Sequence, residues 1–420
     1  MQEADLRIQI QLEMGTGCGE AKSNNTLMEW LQALKVALHA AGAWELFITL
    51  NSYLDPAALA GNTPSPAFAM GAFLARLVRD SDCLQFRDLV SLTWYHDGVG
   101  KEYGCRDLFL GPNFELVEVP DVNSHGAFDT VLGGVDGVAH IAMNMDMNPS
   151  NQAIIEDTIK SNLQLLEAAA RESSVKSVVI TSSLAVCILP TLGTPYKIDP
   201  TTWNTSAIEQ TAKPWDAGGN PRWRGIVLYG ASKARGEQEA FAWMRKHKPA
   251  ISFNTVVPNV NFGIAVSPES MSYRITSAVL DAVVKGYPAA PSILPPQWYV
   301  DVEDTALLHL GALTLDDVSD ERLPAFAGKY SWTQVLEILH RRYLQKILLK
   351  LVDEPLMDAG EVDNERSIQV LKKMGKEEGF TSLEDTLVKA VDTIIENQPK
   401  NVPKTRIDLY YDSLASNSGD

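Results

Sequence analysis

The chain has 420 residues, of which 45% are apolar and 21% charged, and a formal net charge of −17. Such proportions belong to a globular protein large enough for one big domain or two smaller ones. An acidic surface avoids polyanions, so nucleic acid and anionic membrane are excluded as nonspecific partners, leaving small molecules or proteins. The four cysteines (Cys18, Cys83, Cys105 and Cys187) lie far apart without metal spacing, so neither a zinc site nor a disulfide framework is expected. The opening "MQEADLRIQIQ" lacks the basic and apolar regions of a signal peptide, and no apolar run is long enough to cross a bilayer. A cytoplasmic, soluble protein is expected, and the sequon-like Asn204-Thr205-Ser206 is read as chance.

In chain order, the first candidate strand and turn is "LRIQIQLEMGTGCGE", with Gly15, Gly17 and Gly19 at the turn. It lacks a third glycine at the distance a dinucleotide-binding turn requires, so an ordinary turn is the better reading. A second unit starts at "ELFITLN" (45–51), crosses a loop holding Gly61, Pro64 and Pro66, and enters a helix at "MGAFLARLVRD" (70–80). From residue 114 short β-rich runs alternate with longer helical segments, as in a parallel sheet with crossover helices. "FELVEVPD" (114–121) reads as a strand, 125–134 as a short helix ended by glycines, 137–143 as a strand and 151–173 as a helix. "VKSVVITSS" (175–183) is a further strand, followed by a Pro- and Trp-rich loop from 189 to about 225. A helix from there to roughly Arg245, the strand 251–260, the helix 272–286 and a strand-helix pair over 295–315 come next. After 325 the pattern is helices between acidic loops, and the last twenty residues read as a loose tail.

The chemistry concentrates in "IVLYGASKARGEQEAFAW" (226–243). Tyr229 and Lys233 are one helical turn apart and share a face. A tyrosine is a poor acid at neutral pH, but an adjacent ammonium favours its phenolate and would tune it for proton transfer to a carbonyl oxygen. Upstream, Thr181, Ser182 and Ser183 end a buried strand, where open parallel sheets bind their ligands. Asp301 and Asp304 read as helix-capping carboxylates. His140 and His309, in apolar segments without metal-spaced partners, read as packed or locally bonded. The methionines of "MNMDM" (143–147) suit either a pocket wall or loop packing.

The order "GVAHIA", "VVITSS", "YGASK", "VVPNVNFG" resembles the extended short-chain dehydrogenase/reductase superfamily, and within it the dihydroflavonol-reductase-like group of fungal aldehyde and ketone reductases. "PPQWYVDVEDTALLHLGAL" and "YSWTQVL" are similar to that group too, and the resemblance runs over roughly residues 84 to 395. It implies an α/β fold with a Rossmann-type doubly wound parallel sheet and a smaller, mostly helical C-terminal substrate region. The corresponding division is an atypical extension (1–44), a nucleotide-binding domain (45–265, with the substrate loop 189–225), a substrate region (266–400, with 295–315 returning to the core) and a flexible tail (401–420).

The resemblance also implies roles. Tyr229 is the expected proton donor, Lys233 the residue that tunes it and holds the nicotinamide ribose, and Ser183 the residue that orients the carbonyl. Asp121 falls at the adenine, Ala142 near the cofactor ribose, and Pro258 beside the nicotinamide. Arg87 is the candidate for the 2′-phosphate of NADP(H), which is expected over NAD(H). Tyr196, Trp203 and Phe262, with Ser183, are the expected substrate contacts. No metal is expected, and the substrate is a small-molecule carbonyl compound such as a polyketide-derived secondary metabolite. The oligomeric state is not legible.

The family opens with a glycine-rich turn that has no counterpart here. Counting back from "FELVEVPD" by the family's interval lands near Gly71 and makes "ELFITLN" the first strand. Three accounts are open: a variant pyrophosphate site, an imperfectly translated start, or a fold that has lost strong cofactor binding. An epimerase or dehydratase of the same superfamily and a non-catalytic nucleotide-binding protein are the rival functions.

Overall fold

The computed structural model describes residues 9–10, 46–49, 90–94, 114–119, 122–141, 147–215, 219–265, 275–343, 349, 356–398, 404–405, 407–409 and 411–412. The main sheet takes its strands in the order β1-β4-β3-β2-β5-β6-β8-β11, all parallel. These are β1 (Gln9–Ile10), β2 (Leu46–Thr49), β3 (Val90–Trp94), β4 (Phe114–Glu118), β5 (Gly137–His140), β6 (Ser177–Thr181), β8 (Ser252–Pro258) and β11 (Arg322–Ala325). Strand β1, inside the segment expected to be an extension, also pairs with β2.

Counted from β2, the order is third, second, first, fourth, fifth, sixth, which is that of doubly wound nucleotide-binding sheets, with the ligand crevice where the order reverses between first and fourth. "ELFITLN" therefore holds the place of the first strand. The five residues "VSLTW" of β3, too short and too polar in their surroundings to stand out in the sequence, are the second.

Strands β5 and β6 are buried over their whole length, as expected where helices cover both faces of a parallel sheet. Helix α1 (Ile154–Arg171) buries Leu165, Leu166, Ala168 and Ala169 against the sheet, joined by Phe128, Val178 and Phe253. The short helix α2 (Thr205–Thr211) and strand β7 (Tyr196–Ile198) occupy the loop expected to be irregular. Helix α3 (Pro221–His247) starts on an Asn220 cap that accepts from the amides of Arg222 and Trp223, with Pro221 in its first turn. It ends at Lys248 in the left-handed region, φ 47°. Gly236 lets α3 lie against α1, since a Cβ there would come 2.7 Å from Thr158 Cγ2.

The expected helix at 125–134 is instead a succession of turns. Gly126 and Gly134 take φ of 77° and 81°, which a helix does not allow, and so short a helix is marginal without packing.

Beyond β8 come β9 (Val260–Phe262), α4 (Ile275–Val284), β10 (Gln297–Asp301) and α5 (Val302–Thr314). Helix α5 returns to the sheet, where Leu313 accepts from Ser177 Oγ at 2.8 Å and Ala312 from Asn254 Nδ2 at 2.9 Å. Strand β12 (Gly328–Tyr330) completes a small sheet, β12-β10-β9, and β13 (Gly360–Val362) pairs with β7. Helices α6 (Trp332–Tyr343), α7 (Glu365–Lys373) and α8 (Leu383–Asn397) follow. A second core forms here from Phe262, Val279, Tyr330, Trp332, Leu387 and Val391.

The described part of the tail is docked rather than loose. Asp408 pairs with Lys285 at 2.8 Å and the Tyr411 ring stacks on Tyr287 at 4.1 Å between centroids.

Candidate active site

Strand β6 ends at the ligand side of the sheet, and Thr181, Ser182 and Ser183 each leave it in a different direction. Ser183 caps a single 3-10 turn, Leu184–Val186, its Oγ accepting from the Ala185 amide at 3.3 Å. Tyr229 packs against Ala185 and Leu189. Burial raises the Tyr229 pKa above its ordinary value, and the nearby Ser183 hydroxyl works the other way. Sequence spacing had suggested that Lys233 lowers this pKa; in the folded chain burial dominates and Ser183 supplies the opposing effect.

The Lys233 ammonium donates to the carbonyl of Thr181, the last residue of β6, at 2.8 Å. Burial pulls its pKa down to about 7, and the negative charge of Glu237 opposes that. Thr181 Oγ1 lies 2.7 Å from His309 Nε2, while His309 Nδ1 lies 2.8 Å from the Thr305 carbonyl. A carbonyl only accepts, so Nδ1 carries the proton and Nε2 accepts from the Thr181 hydroxyl. Burial lowers His309 to about 4 and His140 to about 3, the latter helped by Lys233, so both rings are neutral at pH 7. As the sequence suggested, both histidines are interior residues.

Glu237, one turn past Lys233, is the best-connected side chain of this corner. Its Oε1 accepts from Arg322 Nε at 2.6 Å and from Thr255 Oγ1 at 3.0 Å, and its Oε2 accepts from Ser182 Oγ. The Arg322 guanidinium also donates to the carbonyls of Pro200 and Thr202, both at 2.8 Å, and lies 3.9 Å above the Trp203 ring. The spacing 229, 233, 237 puts Glu237 on the same helical face as Tyr229 and Lys233, whereas Arg322, 85 residues further on, has no such relation in the sequence.

Not every candidate faces this corner. Phe262 is fully buried, edge-on to Tyr330 at 5.2 Å, a core position that leaves no ring surface for a substrate. Trp203 is held beneath Arg322. Tyr196 donates to Asp358 Oδ2 at 2.8 Å, and its ring occupies the space where Gly360 has no side chain. Pro258 closes β8, buried beside Ala325, and the next residue, Asn259, has a buried amide nitrogen with no hydrogen-bond partner. That unsatisfied donor, at the tip of the strand beside β6, fits a nicotinamide cofactor, as does an ammonium with donors beyond the one given to Thr181.

Asp121, Ala142, Arg87 and the turn at Gly15, Gly17 and Gly19 lie outside the described residues. The second strand of the unit is Val90–Trp94, and Arg87 precedes it in the sequence. Of "MNMDM" only Met147 is described, its carbonyl set against Gly225 of α3. Asp301 caps α5 as expected, its Oδ1 accepting from the Glu303 amide at 2.8 Å. No group of metal-binding side chains and no helix able to cross a membrane occurs among the described residues.

No protein-family model matches the chain. It is 33% identical over 291 residues to the NAD-dependent epimerase/dehydratase terH of Aspergillus terreus, an alignment covering 67% of this chain and 82% of that one. It is 31% identical over 303 residues to the ketoreductase adrE of Penicillium rubens (70% and 84% covered) and 30% identical over 275 residues to aldehyde reductase 2 of Sporidiobolus salmonicolor (65% and 79%). Among solved structures, Gre2 of Candida albicans in complex with NADPH superposes with a TM-score of 0.63 at 19% identity, over 79% of this chain and 96% of that one. The sheet order, the Ser183–Tyr229–Lys233 corner and these relatives together place the chain in the extended short-chain dehydrogenase/reductase superfamily of NAD(P)H-dependent oxidoreductases, in its group of fungal aldehyde and ketone reductases.

Proposed function

We propose that the chain is an NADPH-dependent ketoreductase or aldehyde reductase that converts a carbonyl of a small organic molecule, such as a secondary metabolite of polyketide type, to an alcohol. The observation that carries this reading is the meeting of Ser183 and Tyr229 at the β6 tip, where Tyr229 packs on Ala185 of the turn that Ser183 caps, with the buried Lys233 ammonium one turn along α3. When bound, the cofactor supplies the hydride for the carbonyl carbon. The Ser183 hydroxyl donates to the carbonyl oxygen and fixes its position. Tyr229, uncharged in its buried site, gives its phenolic proton to that oxygen as negative charge develops there. Lys233 then faces the phenolate and limits its cost, and its free donors suit the ribose hydroxyls, while the Asn259 amide suits the nicotinamide. Residues 45–265 make the nucleotide-binding part and 266–400 most of the substrate region in this reading.

NADPH as the cofactor is supported by the fold shared with Gre2 in its NADPH complex and by the relation to the aldehyde and ketone reductases. The test is NADPH consumption by the purified protein with a panel of aromatic ketones and aldehydes. Turnover that disappears in Tyr229→Phe is expected, and no NADPH binding by calorimetry would defeat the reading. The relative named as an epimerase/dehydratase keeps a second reading in play, transient oxidation of a hydroxyl; NAD retained through purification, with no net NADPH consumption, would favour it.

A further inference from the structure

The ammonium of Lys233 sits in an interior that works against its charge. His140 from β5 feels its charge; Tyr229, one turn back on the same helix, and His309 from α5, bonded to the Thr181 hydroxyl, are the other titratable groups of this corner, and all three are uncharged at pH 7. The Cys187 thiol, beside Arg322, is raised to about 11, chiefly by burial, and is uncharged as well. Among the described residues, Glu237 is the anion acting on the lysine. It is buried and lies on the same face of α3 as Tyr229 and Lys233.

Its surroundings are built to keep a carboxylate in the interior. Arg322 forms a buried ion pair with it, and Ser182 and Thr255 fill its remaining acceptor sites. Each donor comes from a different element: Ser182 from the tip of β6, Thr255 from β8 and Arg322 from β11. A guanidinium and two hydroxyls thus supply hydrogen-bond partners to both of its oxygens, as a buried carboxylate requires. Arg322 simultaneously grips the Pro200–Trp203 stretch of the substrate loop.

We propose that Glu237 is a positioning residue that keeps Lys233 charged and bound to the Thr181 carbonyl, with Arg322 as the counter-ion that holds Glu237 in place. The inference rests on the Ser183–Tyr229–Lys233 reading for its catalytic meaning, but its test does not require turnover.

The decisive measurement is the titration of the Lys233 side chain in cofactor-free protein, followed by NMR on isotope-labelled lysine and assigned by the signal lost in Lys233→Met. Glu237→Gln keeps the shape and removes the charge. A Glu237→Leu/Arg322→Met double variant removes both charges, a replacement that buried pairs often tolerate, and covers the case in which the single variant does not fold. In folded Glu237→Gln the Lys233 midpoint is expected to fall by about one pH unit, and in the double variant, which loses a cation as well as the anion, to fall by less. The basic limb of kcat/KM for NADPH, which reports the free enzyme, should move to lower pH by the same amount. An unchanged Lys233 midpoint in a folded variant overturns the proposal. A shifted midpoint in a protein that consumes no NADPH sustains the proposal and defeats the reductase reading instead.

Discussion

Two buried charged corners face each other across helix α5, and they are built on opposite plans. At its N-terminus Asp301, Glu303 and Asp304 are surrounded by partners. Thr386 Oγ1 donates to Asp301 Oδ2 at 2.9 Å, Lys389 pairs with Glu303 at 2.6 Å, and Lys376 pairs with Asp304 at 2.8 Å while the Thr381 amide donates to it at 2.6 Å. At the other corner Lys233 has a main-chain carbonyl and one carboxylate a helical turn away. The first corner fastens α8 and the 376–381 segment to the core. The second leaves phenol, hydroxyl and ammonium with bonding capacity to spare, which is what distinguishes a site for chemistry from a structural clamp.

The largest expected effect breaks the second corner alone. Tyr229→Phe removes one oxygen and should reduce carbonyl turnover by about 10²-fold or more, the range of a lost general acid, with little change in thermal stability. The stability of the two corners should also respond to pH in opposite senses. Lys233 titrates near 7 in the folded chain against 10.5 ordinarily, so the unfolded chain binds more protons between those values and stability rises with pH there. Asp301 is raised, first by burial and then by Glu303 and Asp304, so the folded chain holds the extra proton above its ordinary 3.8 and stability falls as pH rises through that window. Urea unfolding across pH should show Lys233→Met losing the alkaline rise and Asp301→Asn, which can still cap α5, losing the acidic fall. The same slope in wild type and variant would show that the charge in question is not buried at that cost.

The same contrast explains what the sequence could reveal. Tyr229 and Lys233 stand out because helical spacing alone puts them on one face; the strand end offers Thr181, Ser182 and Ser183 together, and the family resemblance is what singles out Ser183. Strands β4, β5, β6, β8 and β10 were legible, where apolar runs and helices alternate over many residues, whereas the short strands β7, β11, β12 and β13 fell in stretches not read as strand. Strand β3 was not legible either, since five residues of mixed character carry little periodicity. Arg322, His309 and Asp358 could not be found from spacing, because they reach their partners through tertiary packing across 85, 128 and 162 residues. For the same reason the aromatic candidates divided by packing rather than by type: Phe262 went to the core, Trp203 under an arginine and Tyr196 to Asp358.

Tight backbone packing separates the corners at a smaller scale. A Cβ on Gly225, one turn before Tyr229, would come 1.9 Å from the Met147 carbonyl oxygen, whereas on Gly311 of α5 its nearest neighbour is Val370 Cγ1 at 2.5 Å. Alanine gains about 0.5–1 kcal/mol over glycine in a helix, but displacing a neighbouring main chain costs about 1–3 kcal/mol. Gly225→Ala should therefore lower stability and Gly311→Ala, opposed only by side chains, should do so less; equal melting temperatures would refute the difference.

The smallest effect concerns whether the corners communicate. A hydrogen-bonded path joins them, from Lys233 to the Thr181 carbonyl, from the Thr181 hydroxyl to His309, from His309 to the Thr305 carbonyl, and from Thr305 Oγ1 to the Asp301 carbonyl at 3.2 Å. Two of its links run through carbonyls already fixed in β6 and α5, so a change at one end has no second arrangement to drive at the other. Lys389→Met, which strips Glu303 of a partly exposed partner, should cost about 1 kcal/mol, and combined with Lys233→Met the two losses should add to within about 0.5 kcal/mol. A larger coupling in that double-mutant cycle would mean that the acidic clamp tunes the lysine, and the separation between a structural and a chemical corner would have to be withdrawn.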